Sequence, residues 1–262
     1  MRCLILLFIA VAVPAFGAER TLTVTDFDGV RVEGPFIVSV TSGRGTSGRL
    51  SGDARALDHV RVDVESGTAV IRATDDANDD TAPAKIMLVT RTLARASLAG
   101  SGALKIDRLA GPETHVTLDG SGTLSVAAVA SDNLTAVVAG TGVLTLAGNA
   151  KNGTLETRGS GAIDAARLTV ADGKFNLDGN GTLTASAARS ASLAVKGTGT
   201  ATVYGQAACT VKREGSASAL CGKAAGQLQV AAATPAPMSA ALPRVRVGVP
   251  PNLRQMRRAG RP

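Results

Sequence analysis

A Gly-x-Gly unit returns six times along this chain, at Gly100-Ser101-Gly102, Gly120-Ser121-Gly122, Gly140-Thr141-Gly142, Gly159-Ser160-Gly161, Gly179-Asn180-Gly181 and Gly197-Thr198-Gly199. The spacings are 20, 20, 19, 20 and 18 residues, and a degenerate copy, Gly215-Ser216-Ala217, follows after another 18. A fixed period near twenty residues demands stacked, near-identical units, each burying its apolar face only against its neighbours. The repeats run so evenly from residue 96 to 221 that no internal boundary is expected there.

Aligned on the first glycine, the copies show which positions face inward. Two residues before it stand Leu98, Leu118, Val138, Thr157, Leu177 and Val195; four before it stand Ala96, Val116, Ala136, Leu155, Phe175 and Leu193. Beyond the glycines the same parity continues with Leu104, Leu124, Leu144, Ile163, Leu183 and Ala201. Alternation at period two on both sides of Gly-x-Gly predicts two half-buried strands joined at a bend. Helix is a poor competitor, because apolar residues recur at two and a mid-unit glycine would cost about 1 kcal/mol relative to Ala. The chain has 30 Gly, one Tyr and no Trp, which suits an interior of thin aliphatic layers. The fold class read from this pattern is an all-β parallel solenoid, with coils of 18–20 residues stacked at about 4.8 Å. Its corner residues Ser101, Ser121, Thr141, Ser160, Asn180 and Thr198 form a polar ladder that reads as side-chain to backbone hydrogen bonding at a turn; a ligand-recognition stripe is the sharper reading.

Residues 21–90 alternate less cleanly, with Val30 and Val32, Val38 and Val40, and Val60, Val62 and Val64 between Gly-containing turn signals. They read as irregular first coils or a β cap. Asp75 to Asp80 reads as a solvated loop. The expected organisation is therefore a signal peptide over residues 1–17, a β-helix body over 21–222 and a Pro/Ala linker with an Arg-rich, disordered tail over 223–262. The signal is expected because Met1-Arg2 is followed by an apolar run from Cys3 to Val13, too short to span a bilayer, and small residues at Ala15 and Gly17.

The formal charge of +7 belongs to the ends of the chain. Arg2 and the tail residues Arg244, Arg246, Arg254, Arg257, Arg258 and Arg261 account for the whole excess, leaving a neutral body. A nucleic-acid partner is not expected, since the body lacks a basic face with stacking aromatics. The tail instead reads as a solvated extension or an electrostatic tether to an anionic envelope polymer, a lipid surface or an acidic protein.

The opening Phe27-Asp28-Gly29-Val30-Arg31-Val32-Glu33-Gly34-Pro35-Phe36-Ile37-Val38-Ser39-Val40, then Val60 to Ala73, then serial Gly-Ser-Gly units, resembles the auto-transporter adhesin head domain called the GIN domain. The resemblance covers roughly residues 21–222. It implies a right-handed parallel β-helix of the bacterial cell envelope and carries no catalytic motif to transfer. Self-export through the outer membrane is not expected, since the sequence shows no long β-barrel segment of the kind it needs.

Chemistry is sparse in the residues themselves. His59 and His115 match no metal-binding spacing, and no cofactor is implied. Asp119 and Asp178 each precede a repeat glycine, with Glu156 and Asp164 on the intervening coil and Arg158, Lys174 and Lys196 nearby. Asp119 and Asp178, however, fall three coils or roughly 14 Å apart, too far for a glycosidase pair. Cys209 and Cys221 stand six residues either side of Gly215, at the inward parity, and are expected to form a disulfide closing the final coil. The function read from all this is an exported, non-enzymatic solenoid with a structural, adhesion or interaction role, located in the periplasm or associated with the envelope. The alternative is a carbohydrate-binding or polysaccharide-cleaving protein that uses an outer face. Unpaired strand edges at the solenoid ends make end-to-end self-association a further expectation.

Overall fold

A computed structural model describes residues 18–74, 83–222 and 229–230. The chain divides into two units, Met1–Ala231 and Ala232–Pro262, and every described residue lies in the first. The signal segment, the Asp75–Asp80 stretch, the Ala231–Pro237 linker and the six tail arginines lie outside the described residues.

The strands are β1 (Ala18–Leu22), β2 (Gly29–Glu33), β3 (Ile37–Ser42), β4 (Ser47–Gly52), β5 (Val60–Glu65), β6 (Thr68–Ala73), β7 (Lys85–Thr90) and β8 (Arg95–Gly100). They continue with β9 (Ala103–Gly120), β10 (Thr123–Gly140), β11 (Val143–Gly159), β12 (Ala162–Gly179), β13 (Thr182–Gly197), β14 (Thr200–Tyr204), β15 (Ala208–Gly215), β16 (Ser218–Gly222) and β17 (Gln229–Val230). One short helix, α1 (Ala54–Asp58), is capped by the Asp53 carboxylate accepting from Arg55 N–H at 2.9 Å, and it buries Ala56 and Leu57.

From β8 onward the chain is a parallel β-solenoid of about six turns. In β9 to β12 the period-two burial is interrupted, which sets off a run after the glycine corner, a short middle run and a run leading into the next corner. The predicted alternation determines the stacking. Leu104 pairs in register with Leu124, then Leu144, Ile163, Leu183, Ala201 and Ala219, and all of these are buried. Leu98, Leu118, Val138, Thr157, Leu177 and Val195 form a second buried ladder on the other side of the corner. A side chain that is buried only by its counterparts above and below cannot slip by one residue without turning its whole ladder to solvent.

The two glycines of each corner do different jobs. Gly120 has φ +114, a region that disfavours any L side chain. Gly122 has no such angle, but a Cβ there would come within 2.5 Å of the Gly102 carbonyl oxygen in the coil beneath. Backbone bonds cement the stack: Ser121 N and Gly122 N both donate to Gly100 O at 3.1 and 2.9 Å, and Thr123 N donates to Gly102 O at 3.0 Å.

The irregular N-terminal region is both a coil and a cap. β2 and β3 form a coil whose corner, Gly34-Pro35-Phe36, lies beneath Gly100-Ser101-Gly102, with Gly34 at φ +128 and Ala103 N donating to Phe36 O at 2.8 Å. This coil is flanked by β6 and β7 on one side and by β8 and β9 on the other. The first coil, β2 and β3, thus lies inside the stack, and the chain passes outward through β6 and β7 before returning over that coil as β8 and β9. Antiparallel strands finish that end: β5 on β6, and β4 on β7 with β1 beyond it. At the opposite end β17 pairs antiparallel with β16.

Candidate functional site

The glycine corner is a construction joint. Gly100, Gly102, Gly120, Gly122, Gly140, Gly142, Gly159, Gly161, Gly179, Gly181, Gly197 and Gly199 stack coil on coil, and the intervening Ser, Thr and Asn side chains are exposed along it. The hydrogen bonds that hold the corner run from backbone to backbone.

The carboxylates singled out in the sequence stay dispersed. Asp119, Ala139, Arg158, Asp178, Lys196 and Glu214 occupy one outward row in that order, so Asp119 and Asp178 are three coils apart. Glu156 pairs with Arg158 at 2.8 Å, Lys196 with Glu214 at 3.3 Å, and Asp164, beyond the corner, accepts from Ala166 N at 3.2 Å. His59 lies 3.3 Å from the Thr74 hydroxyl, and His115 sits in a row between Arg95 and Thr135. Among the described residues there is no cluster of three or more His, Cys, Asp or Glu side chains suited to a metal ion.

Cys209 and Cys221 are joined as a disulfide, with Cα atoms 6.5 Å apart. Cys209 takes the register of buried Ala191, and Cys221 that of buried Val203. The inward parity therefore holds, but only Cys221 is buried; Cys209 is exposed, because its coil is the last on that side and no described strand is stacked over it. The bridge ties β15 to β16 across the corner.

Sequence reasoning missed a concavity on the outer face of the coils. At the bend before the run into the corner, a cavity of about 440 Å³ is flanked by two outward rows that cross the coils. One row is Asn133, Asn152, Asp172 and Ser190; the other is Thr154, Lys174, Ser192 and Thr210. Between them run Gly153, Gly173 and Ala191, at the inward position that Thr114 and Leu134 hold in earlier coils. Phe175 is fully buried, and its ring occupies the space where a Gly173 side chain would go. A flatter hollow of about 470 Å³, containing the Asp132–Lys151 pair at 2.7 Å, borders the Asn133 and Asn152 row on its other side.

The polar groups of this groove are organised. Asn152 Nδ2 donates to Asn133 Oδ1 at 2.8 Å. Arg189 Nε donates to Asp172 Oδ1 at 3.0 Å, Arg189 Nη2 donates to Asp172 Oδ2, and Ser190 Oγ donates to Asp172 Oδ1 at 2.6 Å. The hydrogen bonds from Arg189 and then Ser190 hold the Asp172 carboxyl down at about 2, and the same contact raises the Arg189 guanidinium. Lys174, exposed on the facing row, has no ion-pair partner among the described residues. Two signals in the sequence pointed here: glycines 153 and 173 at an inward position, and uneven coil lengths. Register shifts between Val126 and Val129, Thr145 and Ala147, Ala165 and Thr169, and Val170 and Asp172 all fall on the middle run, while the glycine corner keeps its register in every coil.

Comparison with solved structures places the fold. The chain is similar to a putative adhesin from Bacteroides fragilis NCTC 9343, at 19% identity and a TM-score of 0.72 over 80% of this chain and 98% of that one. It is similar to a putative lipid binding protein from Parabacteroides distasonis ATCC 8503, at 18% identity and a TM-score of 0.64 over 80% and 98%. A putative adhesin from Parabacteroides merdae ATCC 43184 gives 17% identity and a TM-score of 0.61 over 79% and 96%. A search of curated proteins found no match. The family described as putative auto-transporter adhesin, head GIN domain, matches residues 26–207; with its serial glycine corners and stacked parallel coils within that span, the chain belongs to this family.

Proposed function

We propose that this protein is an exported, non-enzymatic β-solenoid with an adhesive or interaction role in the bacterial cell envelope. The observation that carries this reading is the register of the coils, which sets exposed side chains in continuous rows on a rigid support, as in the row from Asp119 to Glu214. Such a surface recognises an extended partner by repetition, since each coil offers an equivalent position about 4.8 Å further on. Membership of an adhesin head family supports the same reading. No helix among the described residues is long and apolar enough to cross a membrane. The Arg-rich tail, Arg244 to Arg261, is proposed as an auxiliary electrostatic tether.

The test is retention of the full chain on intact envelope fractions across a salt series. A second chain carries Arg244→Gln, Arg246→Gln, Arg254→Gln, Arg257→Gln, Arg258→Gln and Arg261→Gln. Salt-resistant retention of both chains is the expected outcome and locates adhesion on the solenoid. Retention that disappears with the tail arginines or with salt would make the body a spacer. Absence of retention for the unaltered chain would overturn the adhesive reading.

A further inference from the structure

We propose that the groove between the Asn152 and Lys174 rows binds an extended acidic polysaccharide, a polyuronate, laid along the solenoid axis. The proposal rests on the adhesive reading and names its ligand and its site.

Size and direction come first. A volume of about 440 Å³ lies in the range of sites that enclose small molecules or one stretch of a chain. The groove crosses the strands, so its walls repeat once per coil. From Asn133 to Ser190 it passes over three coil spacings, roughly 14 Å. A ligand that is itself a linear repeat meets an equivalent polar position at each step, whereas a compact solute would use only one.

Wall chemistry selects hydroxyl-rich ligands. Asn152, Ser192 and Thr154 each both donate and accept hydrogen bonds, which matches sugar hydroxyls. The Asn152 to Asn133 bond fixes one amide's orientation, so less freedom is lost on binding. No aromatic side chain lines the groove, so single-stranded nucleic acid would find no stacking platform.

Charge makes the choice between neutral and acidic sugars. The oxygens of Asp172 are taken up by Arg189 and Ser190, and the arginine cancels its charge. Lys174 is left as the one uncompensated charge on the lining. An ammonium facing a sugar carboxylate forms a charge-assisted hydrogen bond, stronger than any neutral contact in the groove. Every register shift falls ahead of the Asn133 to Ser190 row, so the groove walls themselves keep their register from coil to coil.

Binding of polygalacturonate and of alginate by the full chain carrying the six tail Arg→Gln substitutions tests this by calorimetry at about 0.15 M salt. Carboxyl-reduced polygalacturonate is the neutral control. At least one of the two acidic polymers is expected to bind, and the reduced polymer to bind about tenfold more weakly or worse. Lys174→Gln is expected to cost a similar factor and Lys174→Arg to restore binding. Lys174 is exposed, so both variants should fold, with circular dichroism as the check. Binding of neither acidic polymer, equal binding of the reduced one, or indifference to Lys174→Gln would overturn the proposal. If Lys174→Gln still adheres to envelope fractions as well as the parent, the groove fails while the adhesive reading stands; if the parent does not adhere, that reading fails by itself.

Discussion

Arg189 reaches across to the neighbouring coil and holds Asp172, seventeen residues earlier, with Nε at 3.0 Å from Oδ1 and Nη2 on Oδ2. The contact is exposed, yet it is a two-point clasp of the kind that fixes a guanidinium in one plane against a carboxylate. Its consequence is an ion pair whose two charges cancel beside the groove and which stays formed well below the ordinary carboxylate pKa.

Asp172 is lowered from 3.8 to about 2. A carboxyl depressed in the folded state contributes its stabilisation above the ordinary value and loses it as pH falls through the folded one. The clasp should therefore persist at pH 4 and open only near pH 2. Carbon-13 chemical shifts of the Asp172 carboxyl should give a midpoint near 2 in the parent and a higher one in Arg189→Gln, where only the Ser190 hydrogen bond still favours the carboxylate. Coincident midpoints in the two proteins would count against the clasp.

Gly122→Ala should destabilise the solenoid by about 1–3 kcal/mol, the usual cost of overpacking, because the new Cβ would meet a backbone carbonyl at 2.5 Å. Ser121→Ala, one residue earlier and exposed, should change the thermal midpoint little. Equal effects at the two positions would mean that the corner is not close-packed.

Phe175 is buried between Leu155 and Leu193 in its ladder and fills the space beneath Gly173. Phe175→Ala should cost about 3–5 kcal/mol. Gly173→Ala alone should also destabilise, since its methyl meets the ring. In the double variant the penalties should fall well short of additive, because removing the ring makes room for the methyl. Denaturant unfolding of the cycle gives the coupling directly.

Thr157 stands in an otherwise aliphatic ladder between Val138 and Leu177, fully buried, its hydroxyl without a hydrogen-bond partner among the described residues. An unmet buried hydroxyl is a standing cost. Thr157→Val keeps the shape and should raise stability by about 1 kcal/mol. A loss of stability would show that the hydroxyl does find a partner.

Reduction of the Cys209–Cys221 bridge, whose loop spans twelve residues, should remove about 3 kcal/mol by the chain-entropy estimate. The loss should be local, because coils couple chiefly to their nearest neighbours. Hydrogen exchange should accelerate in β15 and β16 while β10 and β11 remain protected. Uniform acceleration would instead show that the whole stack melts as one unit.

The solenoid was legible because its information is local. Period-two alternation around a recurring Gly-x-Gly settles which side chains turn inward, and the parallel register of Leu98 through Val195 follows by stacking like on like. The cysteine pairing was legible for the same reason, through parity about Gly215. The exposure of Cys209 was not, because parity says where a side chain points and not whether a further coil covers it.

Two features needed the tertiary structure. Gly34-Pro35-Phe36 lacks the second glycine and looks like an ordinary turn, yet it seats the first corner, since β2 and β3 end up between strands that follow them in sequence. The groove joins residues separated by whole coils, and its walls hold no shared motif: Asn152, Asp172 and Ser190 on one side, Thr154, Lys174 and Ser192 on the other. By itself the sequence determined the repeating unit, its inward face and its glycine corner, because each is enforced by backbone sterics and burial within one coil and its neighbours. The order of the first coils, the cap and the groove were decided only when distant segments packed together, because their energies depend on contacts that no single repeat contains.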